Sequence, residues 1–106
     1  MKKVVIYSGF VLLLFSCKKE IGPQNVNEDI VGTGSFLILN EGNFGVGNAS
    51  VSVYNPATNE ISNNQFKTVN GFGIGDVLQS VNRHEDLYYF VVNNSGKVVV
   101  TDTNLV

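Results

Sequence analysis

The chain has 106 residues, with seven basic and nine acidic side chains and a formal net charge of −2 at pH 7. This balance argues against a nucleic-acid partner, since nucleic-acid-binding proteins concentrate Lys and Arg along one face. One cysteine cannot form a disulfide within the chain, and one histidine completes no cluster of metal ligands. We therefore predict no metal, no cofactor and no catalytic residue, and expect that the chain is not an enzyme.

The first 16 residues have the features of a bacterial lipoprotein signal peptide. Lysines at positions 2 and 3 form a short positive region, and residues 4–16 are mostly apolar and uncharged. This stretch is shorter than the roughly 20 residues that a membrane-spanning helix requires. The tripeptide Leu-Phe-Ser at 14–16 resembles a lipobox, the pattern that precedes a lipidated cysteine. We expect a helical signal peptide over 1–16 and lipidation of Cys17.

Acyl chains on Cys17 would anchor the protein to a membrane, because each buried methylene contributes about 0.8 kcal/mol. The alternative is an ordinary signal peptide cut nearby, with an incidental cysteine. Lys18 and Lys19 follow directly, whereas a surface lipoprotein often carries acidic residues at these positions. We expect an outer-membrane lipoprotein of the cell envelope, exposed at the cell surface. Residues 17–34 would be its lipidated N-terminus and flexible linker.

From Ser35 onward, short apolar runs alternate with Asn, Gly, Ser and Asp, a composition typical of strands and turns. No window keeps a helical period with caps, so almost no helix is expected. Residues 51–54 alternate in part, as a half-exposed strand does. Residues 88–92 and 98–100 do not alternate, which predicts strands covered on both faces. The predicted strands are 36–40, 50–55, 60–68, 77–82, 87–93 and 97–102.

An internal repeat relates two parts of the chain. Residues 36–40, "FLILN", resemble residues 89–93, "YFVVN", at an offset of 53, and residues 51–61 resemble residues 98–106 at an offset of 47. In the second copy the strands are joined by a tight Asn-Ser-Gly turn. In the first copy the loop is the glycine-rich "EGNFGVGNA", six residues longer. An extended hairpin loop is where a scaffold usually places a contact surface.

A repeat of about 45 to 50 residues made of antiparallel strands is typical of a β-propeller blade. The segments "LILNEGNFG", "VSVYNPATNEI" and "FGIGDVLQSVNRHEDLYYFVVNNSGKVVVTDT" resemble the YncE or YVTN-type β-propeller lipoproteins, including a surface branch known as a domain of unknown function. The resemblance implies an all-β fold in which residues 35–106 form a partial β-propeller, the first one to two blades of a longer ring. Residues 77–102 would supply strands A, B and C of one blade, and residues 36–68 strands B, C and D of the other.

Open sheet edges would make such a partial ring marginally stable and prone to aggregate if produced alone. The alternative to a partial propeller is a small complete sandwich of about six strands.

The resemblance also implies a function. Some propeller lipoproteins of this kind partner a TonB-dependent transporter and bind cobalamin, so capture of a corrinoid is the implied activity. Asn43, Phe44 and Asn94 are the predicted ligand contacts, because amide and aromatic groups at a propeller mouth suit a large, partly polar ligand. In the same setting Asp76 would fasten the loop before strand A.

Two other functions stay open: a fragment of a lactonase-like or quinoprotein-like enzyme with metal ligands in other blades, and a scaffold that binds another protein.

Two further features are interpreted as structural. His84 lies in a polar stretch, "NRHED", which predicts a solvated turn residue rather than a ligand or a base. The glycine-rich stretches 42–47 and 71–75 lack the G-x-G-x-x-G pattern between a strand and a helix that nucleotide binding requires. Both stretches are predicted to be turns with close approaches of the backbone.

Overall fold

The computed structural model describes residues 29–106, so the predicted signal peptide and Cys17 lie outside the described residues. The described part contains six strands and one short helix. Their bounds are β1 Phe36–Asn40, β2 Ser50–Asn55, β3 Glu60–Ser62, α1 Gln65–Asn70, β4 Leu78–His84, β5 Leu87–Val92 and β6 Lys97–Thr101. The prediction of a mostly-β fold of antiparallel strands with almost no helix is confirmed.

The strands form two three-stranded sheets. The first has the order β1-β2-β3 and the second the order β4-β5-β6. All neighbouring strands within each sheet are antiparallel. The central strands, "SVSVYN" in β2 and "LYYFVV" in β5, are rich in the branched and aromatic side chains that pack well on a pleated surface.

The two sheets share one hydrophobic core. Val51 and Val53 from β2 belong to the same buried cluster as Phe90 and Val92 from β5. Val51, Phe90 and Val92 are completely inaccessible to solvent. Because side chains alternate along a strand, each sheet directs one face into this core and the other face away from it.

The predicted strand over 60–68 is wrong in its second half, where the chain forms α1. Asn64 adopts a left-handed backbone, with φ of 55°, which interrupts the extended chain. The helix buries Phe66, which is 3% exposed. Gly71 ends it with φ of 77°, and its N–H donates to the carbonyl of Lys67 at 2.8 Å. No helix among residues 29–106 is long and apolar enough to cross a membrane.

The hydrogen-bond registers of the two hairpins correct the predicted repeat by one residue. All five residue pairs between β1 and β2 map onto pairs between β5 and β6 when Phe36 is matched to Tyr88 and Val53 to Val100. Offsets of 52 and 47 residues superimpose all five pairs, whereas the predicted offsets of 53 and 47 do not. The first loop has nine residues and the second has four, a difference of five instead of six.

One face of the second sheet is open to solvent. In β5, Phe90 is buried whereas Val91 is 38% exposed, and in β6 Val98 and Val100 are 57% and 49% exposed. The prediction that residues 88–92 and 98–100 are covered on both faces is therefore wrong in the part of the chain that the structure describes. These residues do not alternate between apolar and polar because both faces of the strands carry apolar side chains, although one of those faces is exposed.

Strand β2 is more buried than predicted. Residues 51–54 were expected to form a half-exposed strand, but Ser52 is only 3% exposed. Its hydroxyl donates to Asn63 Oδ1 at 3.1 Å and accepts a hydrogen bond from Asn40 Nδ2 at 3.2 Å. The two amide side chains cover Ser52 and satisfy its polar group.

The residues before β1 close one end of the core. Val31 is buried, and its N–H donates to the carbonyl of Thr103 at 3.0 Å. The neighbouring N–H of Ile30 donates to Asn104 Oδ1 at 3.3 Å. The last part of the predicted linker thus packs against the residues that follow β6.

Candidate functional site

Three connecting segments meet at the other end of the two sheets. We call residues 41–49, 71–77 and 93–96 the loop junction. Within it, the N–H of Ala49 donates to the carbonyl of Gly75 at 3.2 Å, and the N–H of Asn93 donates to the carbonyl of Val77 at 2.9 Å. The middle segment therefore joins the long loop of the first sheet to the short turn of the second.

Asp76 lies at the centre of the loop junction and is only 8% exposed. Its Oδ2 accepts hydrogen bonds from the N–H of Gly45 at 2.7 Å and from the side-chain amide of Asn94. Its own N–H donates to Ser95 Oγ at 2.9 Å. Asp76 lies in the segment directly before β4, and its carboxylate connects the two hairpin loops.

The donors around Asp76 hold the pKa of its carboxyl below the ordinary value of 3.8. The Asn94 amide is the largest cause, desolvation by burial acts in the opposite direction, and the backbone N–H groups of Gly45, Gly47 and Val77 add to the lowering. Oδ1 is buried, and no donor in the described residues reaches it with hydrogen-bond geometry. Because the pKa of the Asp76 carboxyl is lowered, Asp76 is ionised at neutral pH.

Two glycines are required by the close packing of the loop junction. Gly42 has φ of 81°, and a Cβ there would lie 2.6 Å from Asn48 Oδ1. Gly75 has φ of 133°, and a Cβ there would lie 2.8 Å from both Val92 Cγ1 and Ser95 Oγ. Both positions combine a left-handed backbone with a close approach that only glycine permits. The interpretation of the two glycine-rich stretches as turns and close approaches is confirmed at these residues.

The structure brings the predicted contacts Asn43, Phe44 and Asn94 to the loop junction. Phe44 is 79% exposed and directly precedes the Gly45 N–H that binds Asp76. The backbone N–H of Asn43 donates to Asn48 Oδ1 at 2.7 Å, which shapes the turn beneath Phe44. The amide nitrogen of Asn94 donates a hydrogen bond to Asp76 Oδ2. Ligand contact by these residues stays a prediction.

Two exposed apolar residues of the loop junction were missed from the sequence. Val46 and Phe72 are 62% and 60% exposed. Phe72 packs edge to face against Phe66, with the ring centroids 5.7 Å apart. Their segments are neighbours, since a Cβ on Gly73 would lie 3.7 Å from the carbonyl of Gly47. An apolar side chain inside a glycine-rich loop is the sequence signal that could have identified both.

A shallow pocket of about 290 Å³ lies beside these residues. We call it the junction pocket, and it is lined by Gly47, Asn48, Ala49, Ser50, Asn64, Phe66, Lys67, Gly73 and Ile74. A larger open depression of about 650 Å³ lies at the opposite end of the first sheet, near residues 29–35 and the turn between β2 and β3. The junction pocket lies at the loop junction, but none of Asn43, Phe44 and Asn94 lines it.

His84 is the last residue of β4 rather than a turn residue, and it is exposed. The turn itself is Glu85 and Asp86, beside an exposed ion pair in which Arg83 Nη2 lies 3.7 Å from Asp86 Oδ1. Among residues 29–106, no group of three or more His, Cys, Asp and Glu side chains is placed to hold a metal ion.

Comparison with known proteins adds no family to these observations. A scan of protein families finds no match to the chain, and a search of curated proteins finds no similar sequence. The propeller family therefore stays a prediction from the quoted sequence segments. The candidate site rests on the geometry of the loop junction.

Proposed function

We propose that the chain is a cell-envelope lipoprotein, anchored by acyl chains on Cys17, whose two sheets are the first blades of a ligand-binding β-propeller. In that arrangement β1–β3 are strands B, C and D of one blade, and β4–β6 are strands A, B and C of the next. The observation that carries the proposal is the meeting of the equivalent loops 41–49 and 93–96 at Asp76. Equivalent loops of successive blades emerge on one face of a propeller, where ligands bind.

The proposed ligand is a corrinoid such as cobalamin, captured for a TonB-dependent transporter of the outer membrane. The exposed side chains of Phe44, Val46 and Phe72 offer apolar contact area for a large macrocycle. Asn43 offers a side-chain amide next to Phe44. Asn94 offers its amide oxygen, since its nitrogen donates to Asp76. Both groups suit the amide side chains of a corrinoid. The combination of an apolar surface with a few polar groups is typical of small-molecule sites.

Isothermal titration of the full chain with cobalamin tests this proposal. We expect Phe44→Ala to weaken binding by roughly tenfold, since an exposed aromatic anchor contributes more than about 1 kcal/mol at a binding site. Phe36→Ala is the matched control, because Phe36 is also exposed but lies on a sheet face away from the loop junction. An absence of heat with micromolar cobalamin would contradict the proposed ligand.

The anchor is tested separately by growing cells with a labelled fatty acid. The chain should carry the label, and Cys17→Ser should abolish it. An unlabelled wild-type chain would contradict lipidation while leaving the ligand proposal standing.

A further inference from the structure

The junction pocket differs in charge from the other depression of the molecule. None of its nine lining residues is acidic, and Lys67 is the one basic residue among them. Phe66 and Ile74, which also line it, are buried and apolar. The open depression near residues 29–35 is lined by Asp29 and Glu60, and no basic residue of the described chain lines it. The junction pocket is therefore the one of the two that suits a negatively charged group.

The charge of Lys67 is not neutralised by a neighbouring carboxylate. Among residues 29–106 the one ion pair joins Arg83 to Asp86, and Lys67 takes no part in it. The whole chain has a formal net charge of −2, so it does not attract anions in general. Because the Debye length is about 8 Å at physiological ionic strength, only a group close to Lys67 benefits from its charge.

Three further side chains of the pocket have donors that no hydrogen bond within the described chain uses. Asn48 Oδ1 accepts from the N–H of Asn43 at 2.7 Å, which leaves Asn48 Nδ2 available. Ser50 Oγ accepts from Asn40 Nδ2 at 3.1 Å, which leaves its O–H available. The side chain of Asn64 makes no capping hydrogen bond. With Lys67, the pocket offers an ammonium group, two amides and a hydroxyl, which are groups that bind oxyanions.

We propose that the junction pocket binds an oxyanion, a phosphate or carboxylate group, carried by a small organic ligand. Pockets that hold whole small molecules measure roughly 300–1,000 Å³. The junction pocket, at about 290 Å³, is suited to one group of a larger ligand. Gly47 and Gly73 in its wall directly follow the exposed Val46 and Phe72, so the apolar body of the ligand rests on those two side chains.

The oxyanion site also refines the proposed function. Cobalamin carries a phosphodiester in its nucleotide tail, and in the proposed complex this group occupies the junction pocket. That assignment rests on the proposed function, whereas the oxyanion site itself does not, because it can be tested with inorganic phosphate alone.

NMR titration of the full chain in a mild detergent tests the oxyanion site directly. Sodium phosphate and sodium acetate are the two probes, and tetramethylammonium chloride at matched ionic strength is the control. The side-chain amide signals of Asn48 and Asn64 should shift and saturate at millimolar concentrations of at least one anion, and the tighter of the two identifies the anion class. Shifts that are absent or do not saturate with both anions, or that tetramethylammonium chloride reproduces, would overturn the proposal.

A pair of lysine variants separates binding in the pocket from general attraction. Lys67→Gln removes the charge and should weaken binding of the tighter anion by at least about tenfold, because charge-assisted hydrogen bonds are roughly twice as strong as neutral ones. Lys97→Gln makes the same change outside the pocket and should alter the affinity by less than about twofold, since distant charges are screened. Equal weakening by the two variants would contradict a site built around Lys67.

Asn48→Asp provides a second variant that keeps the local turn. Its carboxylate still accepts the hydrogen bond from the N–H of Asn43, but it replaces the Nδ2 donor with a negatively charged oxygen. Anion binding should be lost, while circular dichroism and the unfolding temperature should stay close to those of the wild type. A well-folded Asn48→Asp chain that binds the anion as tightly as the wild type would overturn the proposal.

Cobinamide, which lacks the nucleotide tail and its phosphate, distinguishes the source of the oxyanion. By isothermal titration, Lys67→Gln should weaken the binding of cobalamin and leave that of cobinamide unchanged. Equal weakening of both corrinoids would contradict the place of the phosphodiester in the pocket. If phosphate or acetate binds and neither corrinoid does, the proposed ligand fails and the oxyanion site stands.

Discussion

The two hairpins have the same register but opposite burial. Val51 and Val53 in the first sheet are 0% and 5% exposed, whereas their counterparts Val98 and Val100 in the second are 57% and 49% exposed. The residue type is identical, and the difference is what lies opposite. The second sheet covers the face of the first that carries Val51 and Val53, whereas nothing within residues 29–106 covers the face of the second that carries Val98 and Val100. Strand formation is therefore encoded locally, while burial is set by the neighbouring sheet.

The largest expected effect compares the buried Phe90 with the exposed Phe36. Phe90→Ala should lower the free energy of unfolding by about 3–5 kcal/mol, because it leaves a cavity in the shared core. Phe36→Ala should cost less than about 1 kcal/mol, since Phe36 is 60% exposed. Urea unfolding followed by circular dichroism measures both. Equal costs would mean that the two sheets do not pack as described.

The next effect sharpens the comparison at the loops. Gly75→Ala should destabilise by about 2–3 kcal/mol, because the new methyl group collides with its neighbours and φ of 133° is strained for any L side chain. Gly73→Ala is the control. Its Cβ would have 3.7 Å to the nearest atom and it lacks a positive φ, so its effect should stay within about 1 kcal/mol. Thermal unfolding of both variants gives the answer, and an unaffected Gly75→Ala would contradict the close approach.

Replacing each valine by alanine compares Val51 directly with Val98. Val51→Ala should cost about 2 kcal/mol, since it removes a fully buried side chain from the core. Val98→Ala should change the monomer by less than about 0.5 kcal/mol. A cost for Val98→Ala as large as that for Val51→Ala would show that β6 is covered from within the chain.

The smallest effect concerns acid. Because the pKa of Asp76 lies below its ordinary value of 3.8, its ionised form stabilises the fold above that pH, and this contribution is lost as the pH falls through the lowered pKa. Asp76→Asn keeps one acceptor oxygen for Gly45 and Asn94 but cannot titrate. The difference in unfolding free energy between wild type and variant should therefore be constant near neutral pH and shrink below pH 3.8. A difference that does not change with pH would contradict the loop junction's role.

The strands were predictable where local composition decides the outcome. The bounds of residues 36–40 and 50–55 were obtained from the sequence, because turn-forming residues flank both apolar runs closely. The helix after β3 was missed because its stability comes from the burial of Phe66 against the sheets, and six residues carry too little periodicity. Asn64 and Gly71, which flank the helix with left-handed backbones, were the available signals.

The candidate site was predictable only in part. A long glycine-rich loop pointed to Asn43 and Phe44, and the short hairpin turn pointed to Asn94. The sequence does not reveal that Asn94 is engaged by Asp76, because the bond joins residues 18 positions apart on different segments. Phe72 was missed although it lies inside a glycine-rich stretch, because its place beside the long loop depends on tertiary contacts.

Cysteine labelling compares the two valines in one measurement. Val51→Cys and Val98→Cys, each combined with Cys17→Ser, are treated with a maleimide under native conditions. We expect the cysteine at 51 to be protected and the cysteine at 98 to react rapidly, because Val51 is 0% exposed and Val98 is 57% exposed. Rapid labelling at 51, or protection at 98, would contradict the opposite burial of the two hairpins.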